Sequence, residues 1–194
     1  MPSKRSARQI ELIEAAGKIL TKLGVSGLTT KNLAAEMKFS ESAIYRHFAS
    51  KEEIIVAMLN YMAENMEERY STACQAGEST KEQLKCLFEN QCDFFSKHPY
   101  FVAAVFSDGL MEQSQAINDS ILKVMSVKRK YLIPILARGQ ENGDFNSSIQ
   151  TADLADIIMG VFRLQILKWK LSNFSFDIKS KGANLTNSLL KLIN

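Results

Sequence analysis

Three prolines in 194 residues, Pro2, Pro99 and Pro134, leave the chain almost free of residues that stop a helix, and nine glycines add little further punctuation. Between these breaks apolar side chains recur at three- and four-residue steps. From about Ser6 to Leu23, Ile10, Ile13, Ala16, Leu20 and Leu23 form one stripe, while Arg8, Glu11, Glu14, Lys18 and Lys22 take the other faces. No segment alternates as a half-buried strand does, and no internal repeat or low-complexity tract occurs. A 46% hydrophobic and 23% charged composition excludes a disordered or collagen-like chain. The fold class expected is all-α.

Gly24 stands where a helix end wants a left-handed residue, and a short loop, Val25 to Leu28, is expected after it. Thr29 or Thr30 then caps a short second helix carrying Leu33, Ala34 and Met37. Ser40 caps a third, Glu41 to Phe48. Ser50 and Glu53 read as a capping box opening a long fourth helix, with Ile55, Met58, Met62, Met66 and Tyr70 on one stripe; Ser79 and Glu82 repeat the pattern. Further helices are expected at about 80–97, 100–113, 117–142, 151–172 and 180–193, with Pro134 kinking or breaking the third of these. Domains are placed at 1–51 and 52–194.

The net charge of +3 is unevenly spread. Residues 1–60 hold nine basic and six acidic side chains, and the remaining 134 hold fifteen of each. The surplus sits on the small N-terminal unit, where a polyanion contact is expected. Within it, Thr29 to Phe48 has the form of a helix-turn-helix, two short helices joined by a tight turn, which lays its second helix in the DNA major groove. Tyr45, His47 and Lys51 are phosphate-donor types, and Lys51 falls at a helix N-terminus, where free backbone N–H groups already favour an anion.

The runs Gly27-Leu28-Thr29-Thr30-Lys31-Asn32-Leu33-Ala34 and Ser40-Glu41-Ser42-Ala43-Ile44-Tyr45-Arg46-His47-Phe48-Ala49-Ser50-Lys51-Glu52 resemble the DNA-binding signature of the tetracycline-repressor (TetR) family, over about residues 10–55. The resemblance implies phosphate contacts from Thr30, Lys31, Tyr45, His47 and Lys51. It places Glu41, Ser42 and Ala43 toward the bases and Arg46 at backbone or base. The family usually has glycine in the turn, where this chain has Lys38; a non-glycine residue in the left-handed region costs about 1 kcal/mol. Glu41 is unusual facing DNA, where it either accepts from a cytosine amino group or repels phosphate.

The resemblance further implies a C-terminal helical domain for ligand binding and dimerisation. The last two helices carry Leu154, Ile157, Ile158 and Val161, then Leu185, Leu189 and Ile193, a pattern that by itself more often packs within one subunit; the resemblance implies a homodimer through them, as a four-helix bundle. Met66, Phe88, Cys92, Met125 and Phe162 are taken as lining a cavity for an unknown small-molecule effector. The function implied is that of a ligand-controlled transcriptional regulator, a repressor, bound as a dimer to a palindromic double-stranded operator. The alternative is a thiol-redox sensor or interaction module, with DNA binding secondary, working through Cys74, Cys86 or Cys92; Cys86 and Cys92, six apart on one helix, do not share a face.

Catalysis finds no support. The two histidines, His47 and His98, lie in no metal-ligand spacing, and no nucleophile elbow, P-loop or dinucleotide fingerprint occurs. No enzyme activity, cofactor or metal is expected. Glu11 and Glu14 break any signal-peptide core, and uncharged stretches run to about ten residues, short of the roughly 20 a spanning helix needs. A cytoplasmic protein with no membrane partner is expected.

Overall fold

The computed structural model describes residues 5–76, 79–106 and 114–194, without the side chains of 74–76. Every regular element among the described residues is helical: α1 (Ala7–Gly27), α2 (Thr30–Met37), α3 (Glu41–Tyr45), α4 (Lys51–Ala76), α5 (Thr80–Lys97), α6 (Tyr100–Val105), α7 (Gln115–Glu141), α8 (Thr151–Leu171) and α9 (Ile178–Ile193). Helix ends follow the capping chemistry. Ser6 and Gln9 form a capping box on α1, and Ser79 and Glu82 one on α5. At α4 only half of the expected box forms: Ser50 Oγ accepts from Glu53 N (3.1 Å), whereas the Glu53 carboxylate accepts from Ala49 N (2.7 Å) rather than from Ser50.

Three expectations about element bounds are corrected and a fourth is narrowed. The anticipated loop after Gly24 is a further helical turn: Gly24, at φ +67°, interrupts the helix, which resumes to Gly27. The third helix stops at Tyr45 instead of Phe48, because the Arg46 and His47 N–H groups both turn back to Ile44 O and tighten the last turn. Helix α7 runs through Pro134, which excludes the break, one of the two outcomes expected there, and leaves the kink. Helix α9 starts two residues early because Asp177 caps it, accepting from Lys179 N (3.0 Å) and Ser180 N (3.4 Å). Residues 107–113, expected to continue α6, lie outside the described set.

The chain divides into two compact units, residues 1–62 with 99–123, and residues 63–98 with 124–194. In the first, α1 packs on α2 and α6, and α2 on α3. Gly17 is there for space: a Cβ on it would lie 2.3 Å from Tyr100 Cδ2, so the ring of α6 sits directly on the α1 backbone. Leu12, Ile13, Leu20, Leu28, Leu33, Ile44 and Phe48 are all buried, which fixes α2 and α3 against α1. In the second unit, α9 packs closely on α5 and also meets α8. Phe88 of α5 and Phe162 of α8 stack with centroids 4.7 Å apart, and Tyr70 of α4 meets Tyr131 of α7 edge-on at 5.7 Å.

Candidate nucleic-acid interface

The first unit builds its exposed reading head from short local rules. Thr29 is extended and caps α2, its Oγ1 accepting from Asn32 N (3.1 Å), while Asn32 Nδ2 donates to Gly27 O (2.8 Å) and ties α2 to the end of α1. Helix α2 ends on Lys38 in the left-handed conformation, φ 56° and ψ 43°. The Lys38 N–H bonds back to Ala34 O and Ala35 O, and Phe39 N donates to Ala34 O (2.8 Å). That is the geometry a glycine normally supplies, here held by a lysine. The Arg8 guanidinium lies 4.1 Å over the Phe39 ring and fastens the turn to α1. Ser40 then caps α3 through Ala43 N (3.3 Å).

This framework leaves Lys31, Glu41, Ser42, Tyr45, Arg46 and His47 exposed, with Thr30, Ala43 and Lys51 partly exposed. Tyr45 is 53% exposed, far too open for a core aromatic, whereas Phe48 is buried at 6%. Thr30 and Lys31 open α2, Glu41 to Ala43 open α3, and Lys51 opens α4. Cations and hydroxyls therefore collect at three helix N-termini, each capped by a side chain and each the positive end of a helix dipole. The residues singled out from sequence thus share one exposed head. Sequence spacing did not anticipate a cluster within it. Thr30 Oγ1 donates to the Glu41 carboxylate (3.3 Å) and shares a hydrogen bond with the Tyr45 hydroxyl (3.4 Å). Glu41 is thereby engaged with the start of α2, eleven positions away, a separation that no local pattern reveals. Ser42 Oγ shares a bond with the capping Ser40 Oγ (3.0 Å).

In the second unit, Met66, Phe88, Cys92 and Phe162 are buried, but Met125 is 38% exposed. Met125 is therefore corrected: it lies on the open side of α7, not in the interior with the other four. The expected dimer seam also changes. Leu154, Ile158, Leu189 and Ile193 are buried in the subunit's own core, while Ile157, Leu164 and Leu171, at seven-residue steps along α8, are 47%, 53% and 72% exposed. Among the described residues no cluster of His, Cys, Asp or Glu is arranged to hold a metal ion, and no helix is long and apolar enough to cross a membrane.

Two family models match the chain. Residues 12–58 match the bacterial regulatory proteins of the tetR family, and residues 58–193 match the YsiA-like C-terminal region. The chain belongs to the TetR family. It is thus a TetR-type transcriptional regulator with a DNA-binding helix-turn-helix. Among curated relatives, the nucleoid occlusion factor SlmA of Vibrio vulnificus is 23% identical over 176 residues, covering 90% of both chains. Among solved structures, the regulator FadR from Bacillus subtilis, in complex with stearoyl-CoA, superposes with a TM-score of 0.83 at 16% identity, over 95% of this chain and 99% of that one. The ketosteroid regulator KstR2 of Mycobacterium tuberculosis gives 0.79 at 21% identity, over 98% and 97%. These two likenesses show the fold.

Proposed function

We propose that this regulator is a repressor that binds a palindromic operator as a homodimer and is controlled by a small molecule held in its second unit. The observation that carries the DNA-binding part is the collection of Thr30, Lys31, Tyr45, Arg46, His47 and Lys51 at the exposed starts of α2, α3 and α4 and the end of α3. Lys31, Lys51 and the Tyr45 hydroxyl hold phosphates, while the Thr30 hydroxyl is engaged by Glu41; Ser42 and Ala43 face base edges. Glu41, bonded to Thr30, serves chiefly to hold α3 against the start of α2.

The dimer reading rests on the apolar stripe of Ile157, Leu164 and Leu171, which a second copy of the same helix covers in a two-fold pair, and on the 76% exposed Leu192 of α9. The effector reading rests on the buried Met66, Phe88, Cys92 and Phe162, and on the FadR neighbour having been solved with stearoyl-CoA. Regulation then works as a population shift, a ligand weakening DNA binding by its unequal affinity for two spacings of the paired heads. A thiol-redox input through Cys92 or Cys86 is disfavoured, since burial pushes the Cys92 thiol up to about 11, away from reactive thiolate, and the Cys86 thiol points to Ala73 O (3.8 Å); the Cys74 side chain lies outside the described residues.

The test is an anisotropy titration against duplexes from the flanking DNA over a range of salt. Affinity that falls steeply with salt, and half-sites about one helical turn or a multiple apart, are expected. Absence of salt-sensitive binding to any duplex refutes the reading. Sedimentation of Leu164→Glu checks the seam: a shift toward monomer is expected.

A further inference from the structure

The second unit contains an ammonium group whose position the DNA-binding function does not explain. Lys128, on α7, places its Nζ 4.3 Å from the centroid of the Phe162 ring and 5.5 Å from that of Phe88. It is only partly accessible, and no carboxylate or other acceptor is bonded to it among the described residues. Burial, chiefly, lowers its pKa to about 8, and its cationic neighbours Arg163 and Arg69 act in the same direction. The thiol beside it, Cys92, is itself kept neutral by burial.

The surrounding polar groups do not supply the missing anion. Arg69 donates to Asn65 Oδ1 (2.7 Å), to Asn90 O (3.3 Å) and Oδ1, and to Gln91 Oε1 (3.4 Å), all neutral acceptors. Asp93, the carboxylate whose field reaches Arg69, is held by Lys97 (2.7 Å) and Lys179 (3.0 Å). Gln91 is fully buried. Its Oε1 is satisfied by Tyr70 OH (3.0 Å) and Arg69, yet its Nε2 finds no acceptor among the described residues. A buried amide N–H left in this state is costly, and native proteins keep few such groups. Phe88, Gln91 and Cys92 fall at i, i+3 and i+4 on α5 and so share one face. The helix thus carries the unpaired donor on the face that presents Phe88 to the uncompensated cation.

We propose that this interior is an anion-recognition site, in which Lys128 takes the acidic head group of an apolar small molecule, the rings of Phe88 and Phe162 contact its body, and Gln91 Nε2 supplies a second donor. The class of ligand is a monoanionic amphiphile, an organic acid with an aromatic or aliphatic body, because one ammonium and one amide N–H match one acidic group. Cation–π contact alone leaves the ammonium short of the hydration it lost; an acidic oxygen restores it and satisfies the amide. The inference deepens the effector reading above and takes its biological meaning from it.

The test uses two fluorescent probes that share one ring system: anilinonaphthalene sulfonate, which carries an anion, and N-phenylnaphthylamine, which does not. The intact wild-type protein is expected to bind the sulfonate at least about tenfold more tightly. Lys128→Met, which keeps the stem and removes the charge, is expected to abolish that preference and leave the neutral probe unchanged, while Lys128→Arg retains it. Lys128→Met also melts no lower than wild type, since it removes an uncompensated charge. The proposal is overturned if the wild type binds both probes equally or neither. It also falls if Lys128→Met keeps the preference, or melts lower with binding unaltered, the behaviour of a structural lysine. Wild-type selectivity and Lys128→Arg decide the matter even if Lys128→Met does not fold. Operator titration of the same preparations separates the two readings. Loss of DNA binding with Lys128-dependent selectivity sinks the regulator reading alone; intact DNA binding without selectivity sinks this site alone.

Discussion

Gly182 lies inside α9, where alanine is ordinarily better by about 0.5–1 kcal/mol. Here the opposite is expected. A Cβ on Gly182 would stand 2.3 Å from Cys92 Sγ and 3.6 Å from its Cβ. Ordinary contact begins near 3.4 Å, so the sulfur must retreat by about an ångström. Cys92 is 1% exposed and has a single side-chain torsion, so the retreat requires either a poor rotamer or separation of α5 from α9. Overpacking of this kind costs about 1–3 kcal/mol. After subtraction of the propensity gain, Gly182→Ala should destabilise by about 1–2 kcal/mol and lower Tm by roughly 2–8 °C in a chain of this size. Cys92→Ala alone should also destabilise, by removing buried volume. The double variant, in which the new methyl occupies the space the sulfur vacates, should be more stable than the sum of the singles implies, by about 1 kcal/mol. Urea denaturation of the four proteins measures this. A Gly182→Ala variant as stable as wild type, or singles that simply add, would refute the close-approach argument.

Other outcomes are expected. Lys38→Gly should raise the melting temperature through up to about 1 kcal/mol of relieved left-handed strain, without moving neighbouring elements; a fall in Tm counts against strain at the turn. Lys51→Ala should weaken binding to all duplexes alike and reduce the salt slope by about 1, whereas substitutions at Ser42 should change preference between sequences. Equal effects of a Ser42 change on specific and random DNA would contradict its placement at base edges. Stability should also depend on pH through Lys128 and Cys92. Lys128 is lowered from 10.5 to about 8, so between pH 8 and 9 the unfolded chain binds more protons and stability rises, by about 1 kcal/mol. Above pH 9 Cys92, raised from 9.0 to about 11, opposes the rise, because the folded state keeps a proton the unfolded chain has lost. Denaturation midpoints of Cys92→Ala across this range should show the rise continuing toward pH 10.5.

Much of the head was legible because its rules are local. Thr29 and Ser40 are caps whose side chains bond backbone three residues on, and the buried set Leu33, Ile44 and Phe48 follows helical spacing. The exposed phosphate-donor residues come from the same short stretch. What spacing missed was any bond between distant positions, as at Thr30, Glu41 and Tyr45, where a carboxylate first read as facing DNA turns out to be bonded within the head. The errors in the second unit have a related cause. Periodicity marks an apolar stripe but not which neighbour covers it. Leu154 and Ile158 proved internal, while Ile157 and Leu164, beside them in the pattern, face outward.

The sequence by itself determined that the chain is helical, where most helices start, and that the first sixty residues carry the charge and side chains of a DNA-reading head. Each of these depends on interactions within a few residues, such as caps, turns and i, i+3/i+4 faces. Only the tertiary structure decided that a lysine sustains the left-handed turn, that Gly17 and Gly182 exist to admit Tyr100 and Cys92, and that Lys128 lies over the Phe162 ring while Gln91 is buried with one donor unpaired among the described residues. Close approach and burial join residues tens of positions apart, and the linear pattern carries no record of which helix faces which.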